Sequence, residues 1–143
     1  MSNQIPIYNG SCHCGNIGFR FRASQRPKSW TIRACQCGFC RAHGVRTTTD
    51  PNGSVVFQIQ DESQLHRYRF GTKSAEFYIC RQCGVYLAAV LSSDSGQFAT
   101  LNVNTLQTPV QVADAIPISY DSESLTNKIA RREQRWTPVV REN

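Results

Sequence analysis

Seven cysteines gathered into three short clusters constrain this chain more than any other feature. Cys12 and Cys14 flank His13, Cys35, Cys37 and Cys40 form a second group, and Cys80 and Cys83 precede Gly84. Sulfurs a few residues apart on a tight turn can reach one metal ion, so these are metal-ligand spacings. The glycine after Cys83 lets the backbone curl so that amide N–H groups can point at the sulfurs. Cys12 and Cys14 are expected on an extended strand, where residues i and i+2 face one side. Tetrahedral zinc takes four ligands, and two pairs complete one such set. The favoured division places Cys12, Cys14, Cys80 and Cys83 on one ion and leaves Cys35, Cys37 and Cys40 as a triad with an open coordination position. An odd cysteine count also argues against a complete disulfide framework.

At 143 residues the chain is expected to be one domain, 1–143, with a core over about 8–106 and a less regular tail over 107–143. No apolar run approaches the ~18 residues of a membrane span, and no signal peptide is evident at Met1. The expectation is a cytoplasmic protein without membrane contact, where thiols stay reduced. Seven thiolates on two zinc dications would lower the formal charge of +6 to about +3. Of the sixteen basic residues thirteen are arginine, which suits carboxylates and phosphates. A solvated basic surface is the first reading of that excess, an acidic small-molecule substrate the second and nucleic acid the last. The aromatics Phe19, Phe21, Tyr68 and Phe70 sit at strand spacing and read as packing rather than as a base-stacking surface.

Hydrophobic alternation predicts short strands throughout. Residues 5–8 read as an edge strand because of Pro6. Residues 16–22 alternate with Ile17, Phe19 and Phe21 on one face. Trp30, Ile32 and Ala34 alternate into Cys35, and Gly38 and Gly44 bracket a tight segment carrying Cys40, Arg41 and His43. Residues 45–49 and 55–59 flank Asp50-Pro51-Asn52-Gly53, which predicts a hairpin. A second hairpin is expected from 65–70 and 75–79, its outgoing strand delivering Cys80. Residues 85–91 are apolar throughout and predict a buried central strand, with 98–103 returning beside it. Leu125 and Ile129 at i and i+4 predict a short helix over 124–135, ended before Pro138. The class is all-β with one short C-terminal helix.

The stretch from Gly10 to Phe19 containing Cys12-His13-Cys14-Gly15, the triad running Cys35-x-Cys37-x-x-Cys40-Arg41-x-His43-Gly44, and Tyr78-Ile79-Cys80-Arg81-Gln82-Cys83-Gly84-Val85-Tyr86-Leu87 resemble the glutathione-dependent formaldehyde-activating enzyme family, which includes centromere protein V. Asn102-Val103-Asn104-Thr105-Leu106 is similar to a short motif after that family's last core strand. The resemblance covers about residues 8–106. It implies several coiled antiparallel β-sheets, a fold shared with methionine sulfoxide reductase B. It also implies a structural zinc on Cys12, Cys14, Cys80 and Cys83, and a second, catalytic and more labile zinc on Cys35, Cys37 and Cys40.

The activity implied is that of a carbon–sulfur lyase, joining glutathione to formaldehyde as S-hydroxymethylglutathione. A free thiol is only about 3% thiolate at pH 7, whereas coordination at an open three-cysteine zinc would deprotonate it. Three thiolates make that zinc a weak Lewis acid, so positioning should outweigh carbonyl polarisation. Arg41, Arg46 and Arg81 are candidates for holding the carboxylates of glutathione, from charge and proximity in sequence. The partners expected are a small thiol and a small aldehyde, with the oligomeric state open.

Three rival readings turn on the metal groups. His43 could close the triad as a site of three cysteines and one histidine, making a non-catalytic zinc-bound scaffold with two structural sites; ligation at about 2.0–2.1 Å would decide this. Cys37-Gly38-Phe39-Cys40 could be a redox pair, but that motif belongs at a helix start in a βαβ unit, which the sequence does not predict here. Iron suits a four-cysteine tetrahedron as well as zinc does. His13 should face away from its neighbours' metal, His66 reads as an exposed strand residue, and Asp61-Glu62 reads as a solvated turn. Trp30 and Trp136 read as packing residues, Trp136 near a pocket mouth.

Overall fold

The computed structural model describes residues 6–120 and 122–141. Eleven strands form two sheets, with one short and one longer helix, among these residues. The smaller sheet has the order β1-β2-β5, from β1 (Ile7–Ser11), β2 (Ile17–Arg22) and β5 (Ser54–Ile59), antiparallel throughout. The strand expected over 5–8 thus runs later, from Ile7, and Ile5 lies outside the described residues. The alternation of β2 does what its pattern demands: Ile17, Phe19 and Phe21 are buried at 1% exposure or less.

The larger sheet runs β10-β3-β4-β9-β8-β7-β6. Its strands are β3 (Arg33–Cys35), β4 (Thr47–Thr48), β6 (Leu65–Tyr68), β7 (Glu76–Cys80), β8 (Tyr86–Ser93), β9 (Gly96–Asn102) and β10 (Ile116–Ile118). A further pairing joins β11 (Thr137–Pro138) to β9. All pairings are antiparallel except β10 with β3, which run parallel. The second expected hairpin is present, with Leu65 opposite Cys80 at the strand end. The first is not. Gly53 N–H does donate to Asp50 C=O, so a turn forms, but the chain leaves it for the other sheet. The Asp50 carboxylate accepts from Ser24 N–H, Ser24 Oγ and Asn52 N–H, and the Asp50 amide donates to Thr137 Oγ1. These side-chain bonds hold the turn while Val55 and Phe57 pair with Phe21 and Phe19 of β2.

Strand β8 is buried on both faces, which explains its unbroken apolar sequence. One face packs toward the small sheet, where Leu87, Ala88 and Val90 join Phe19, Phe21 and Leu101. The other packs under the helices, where Tyr86, Ala89 and Leu91 join Phe77, Cys40 and Trp136. Leu87 and Ala88 both contribute to the first face because the β7–β8 register shifts: Tyr78 is opposite Ala88 and Ile79 opposite Tyr86. This bulge turns Tyr86 to the face that carries the cysteine triad.

Helix α1 (Gly38–His43) occupies the segment bracketed by Gly38 and Gly44, where no helix was expected. Gly44 ends it in the left-handed region at φ 57°, a conformation that glycine adopts without a Cβ clash. Helix α2 (Leu125–Arg135) starts at Ser124, whose Oγ accepts from Asn127 N–H. Of the two apolar residues expected to anchor it, Ile129 packs on the second core and Leu125 is exposed. The face it turns inward is instead largely cationic.

Gly10 illustrates how tightly the small sheet is closed. It pairs with Phe19, and a Cβ at this position would run into the Phe19 ring. Gly10→Ala is therefore expected to cost about 1–3 kcal/mol in denaturant unfolding, the usual cost of overpacking. A loss below a few tenths would show that the ring has room to move.

Candidate metal centres and cavity

Two groups of cysteines converge, each with its sulfurs within 4.8 Å of one another: Cys12, Cys14, Cys80 and Cys83, and Cys35, Cys37 and Cys40. The first bridges the two sheets. Cys12 and Cys14 lie in the turn joining β1 to β2, while Cys80 ends β7 and Cys83 lies in the turn that joins it to β8. The extended strand expected for Cys12 and Cys14 is thus a turn, closed by Cys12 N–H to Ile17 C=O and Gly15 N–H to Cys12 C=O. Its curl brings Cys14 Sγ to 3.8 Å from Cys12 Sγ and 3.5 Å from Cys80 Sγ. Ile17 N–H donates to Cys12 Sγ at 3.3 Å, the kind of amide–sulfur bond that supports a thiolate. Gly84, at φ 78°, donates its N–H to Cys80 C=O and lets the second turn close. Burial raises the Cys80 thiol to about 12, although amides of Cys83 and Gln82 oppose it. Burial also acts to raise Cys83, but amides at Cys14 and Val85 and the neighbouring thiols outweigh it and bring it down to about 6. His13 is exposed and takes no part in the group.

The triad is built by the end of β3 and the start of α1. Cys35 closes the strand, Cys37 is the helix N-cap with its Sγ accepting from Cys40 N–H at 3.4 Å, and Cys40 lies in the first turn. The Cys40 thiol donates to Cys35 and holds it down at about 5, against the opposing effect of burial and with help from Cys37 and Arg131. Cys40 is correspondingly pushed up, as the donor to Cys35 and through burial. Such a thiolate-bearing set of soft donors fits zinc. His43 does not belong to it: its ring packs at a tilt against Phe39, 4.5 Å between centres, and lies 5.7 Å from that of Tyr86. Among the described residues the triad has no fourth protein ligand. Cys37 and Cys40 do open a helix, but β3 and β4 on either side are antiparallel, so this is not the βαβ setting of a redox motif.

The triad lines a cavity of about 610 Å³, whereas no cysteine of the four-sulfur group does. Its floor is Phe77, Tyr86 and Ala89, with Trp136 also in the wall. Tyr86 is fully buried, and burial together with the three sulfurs pushes its phenol well above the usual value. The cations are Arg33 on β3 and Lys128, Arg131, Arg132 and Arg135 on α2.

The basic residues singled out from the sequence lie elsewhere. Arg41, Arg46 and Arg81 do not line the cavity. Arg41 is exposed on α1, Arg81 sits in the turn of the four-cysteine group, and Arg46 Nε donates to Asn104 Oδ1 at 2.8 Å. The residues that do line it come from the tail and from Arg33, and only their arginine-rich spacing in 131–135 hinted at them. Trp30 packs in the first core with its Nε1 on Gln25 C=O. Phe19 and Phe21 are core, and Tyr68 and Phe70 stack on Phe39 at 5.8 and 5.3 Å.

The chain is a mainly β protein with two sheets, one longer C-terminal helix and two convergent thiol groups that could each hold a metal ion. The sequence model described as glutathione-dependent formaldehyde-activating enzyme matches residues 7–122, and the chain belongs to that family. The crystal structure of a protein from Rhodobacter sphaeroides is similar in fold, with a TM-score of 0.61 and 24% identity over 77% of this chain and 99% of that one. Helix α2 lies beyond the family-matched stretch. Among the described residues no helix is long and apolar enough to cross a membrane.

Proposed function

We propose that the protein is a carbon–sulfur lyase of the S-(hydroxymethyl)glutathione synthase type, joining the thiol of glutathione to formaldehyde or a related small aldehyde. The observation that carries this reading is the asymmetry of the two thiol groups: three cysteines without a fourth protein ligand face a cavity, and four cysteines away from it tie two sheets together. In this reading Cys12, Cys14, Cys80 and Cys83 hold a structural zinc, and Cys35, Cys37 and Cys40 hold a catalytic one. When bound, the second ion supplies an open position that lowers the pKa of an incoming thiol.

The remaining chemistry belongs to the chain. The cavity is of ordinary ligand-site size and brings the two reactants together, which is where most of the rate should come from. Phe77, Ala89 and Trp136 exclude water around the reacting atoms. Sulfur adds to the carbonyl carbon as the C=O π bond opens, and the carbonyl oxygen gains the proton that the thiol gives up, so the addition balances without an external acid. Tyr86 keeps its phenolic proton and can donate a hydrogen bond to that oxygen; with its pKa raised so far, no phenolate forms near neutral pH to serve as a base.

The test is exchange NMR on zinc-loaded, reduced protein with glutathione and formaldehyde, together with elemental analysis. Two zinc ions per chain and adduct exchange well above the uncatalysed rate are expected. Exchange at the uncatalysed rate with both ions in place would overturn the reading.

A further inference from the structure

Arg131 and Arg132 are neighbours in sequence with opposite surroundings. Arg131 is satisfied: its Nε and Nη2 hold both oxygens of Glu123 at 2.9 and 3.0 Å, and its guanidinium lies 3.8 Å from the centre of the Tyr120 ring. Arg132 has no carboxylate partner among the described residues. Its Nη1 donates to Ser74 Oγ at 2.8 Å, its guanidinium lies 4.7 Å from the Trp136 ring centre, and its Nε–H is buried with no hydrogen-bond partner. A guanidinium has five N–H donors in a fixed fork, and a buried cation left without an anion is costly.

Arg33 repeats the pattern from the sheet. Its Nη1 donates to Thr49 Oγ1 at 3.0 Å, and no carboxylate pairs with it among the described residues. The like charges of Arg131 and Arg135 act on it, so cations from β3 and α2 converge. No carboxylate lines the cavity among the described residues either. The cations converge on a cavity where the Cys35 thiolate is the anion at hand, no carboxylate lines the wall among the described residues, and the buried Arg132 Nε–H has no partner.

We propose that the cavity takes an organic ligand bearing a small planar oxyanion, a carboxylate or its equivalent, and that Arg132 on α2, with Arg33 on β3, is the residue pair that selects it. The proposal rests on the reading above that the cavity is where the reactants bind, and it deepens that reading by assigning specificity to a helix outside the family-matched residues. Arg33 and Cys35 share one face of β3, where alternate residues stand roughly 7 Å apart. The oxyanion therefore sits in the same cavity as the reacting atoms, on the same molecule as one of the two reactants. Two sources meet that requirement: a carboxylate of the thiol substrate, or one carried by the aldehyde.

The experiment measures equilibrium binding on zinc-loaded protein through the fluorescence of Trp136, with Trp136→Phe as the control for signal origin. Glutathione and its diethyl ester are compared first, then formaldehyde and glyoxylate in the presence of the ester. Wild type is expected to bind the acid at least about tenfold tighter than the ester, and Arg132→Gln to remove that preference. If the preference appears only between glyoxylate and formaldehyde, the oxyanion arrives with the aldehyde and the proposal stands. Should Arg132→Gln fail to fold, Arg132→Lys and Arg33→Gln read the same difference, smaller in size and equal in sign, because lysine keeps the charge and lacks the fork. No preference for acids in wild type, or equal weakening of acid and ester in the variants, overturns it. Anion binding without thiol–aldehyde exchange would remove the proposed reaction and leave the selecting pair intact.

Discussion

Cys80→Ser is expected to give no soluble, cooperatively folding protein. Cys80 is 1% exposed and ends β7 of the large sheet, and its sulfur meets Cys14 Sγ from the turn of the small sheet. A zinc ion on these four sulfurs would be the coordinate link between the layers that enclose the first core. Structural zinc contributes ~10–16 kcal/mol in small zinc-finger peptides, against a typical domain stability of ~5–15 kcal/mol. Loss of most of that contribution exceeds what hydrophobic burial alone leaves in hand. The control is Cys14→Ser: Cys14 is exposed, so its loss removes a ligand with little effect on packing. Both variants should fail alike in soluble yield and in the unfolding transition followed by circular dichroism. If Cys14→Ser melts like wild type while Cys80→Ser does not, packing rather than metal explains the damage, and the structural role assigned to this group fails.

Much of the scaffold was legible because its signals are local. The alternation of Ile17, Phe19 and Phe21 specifies a half-buried strand whatever its partner, and the apolar run 85–91 specifies one covered on both sides. The turn at Asp50-Pro51-Asn52-Gly53 misled in an instructive way. Its residues announce that the chain reverses, but the choice of sheet is made by Phe19 and Phe21, which pair with Phe57 and Val55, and by Ser24 on the Asp50 carboxylate. Helix α1 was missed because six residues are too few to show a helical period, and its N-cap is a cysteine rather than one of the usual capping side chains.

The site divides along the same line. Metal-ligand spacing is written in runs of three to six residues, so the cysteines were readable as two groups. The cations were not, because Arg33 and residues 128–135 lie far apart in the chain and come together only in the fold, with β10 parallel to β3, β11 on β9, and α2 between them. Nothing in the tail announces that strand, since Pro117 sits at its centre and Ile116 is exposed. Proximity in sequence therefore favoured Arg41, Arg46 and Arg81, which point elsewhere.

Cys37→Ser, by contrast, should fold and should not catalyse. Cys37 caps α1 by accepting from Cys40 N–H, and serine is among the preferred N-cap residues, so the helix start is preserved. Stability should change by no more than about 1 kcal/mol, a shift of a few degrees for a chain of this size. The neutral hydroxyl is a much poorer zinc ligand than a thiolate, and the triad has no spare donor among the described residues to replace it. Losing a residue that merely supports a ligand commonly costs 10–100-fold in metal affinity or activity, so loss of a ligand itself should cost at least about a hundredfold. Zinc content should fall from two ions per chain to one, while Cys80→Ser should lose both along with the fold. The outcome that breaks this division of labour is a Cys37→Ser protein that either unfolds as completely as Cys80→Ser or retains full exchange activity with a single zinc. In the first case both groups hold the fold together, and in the second the cavity works without its metal.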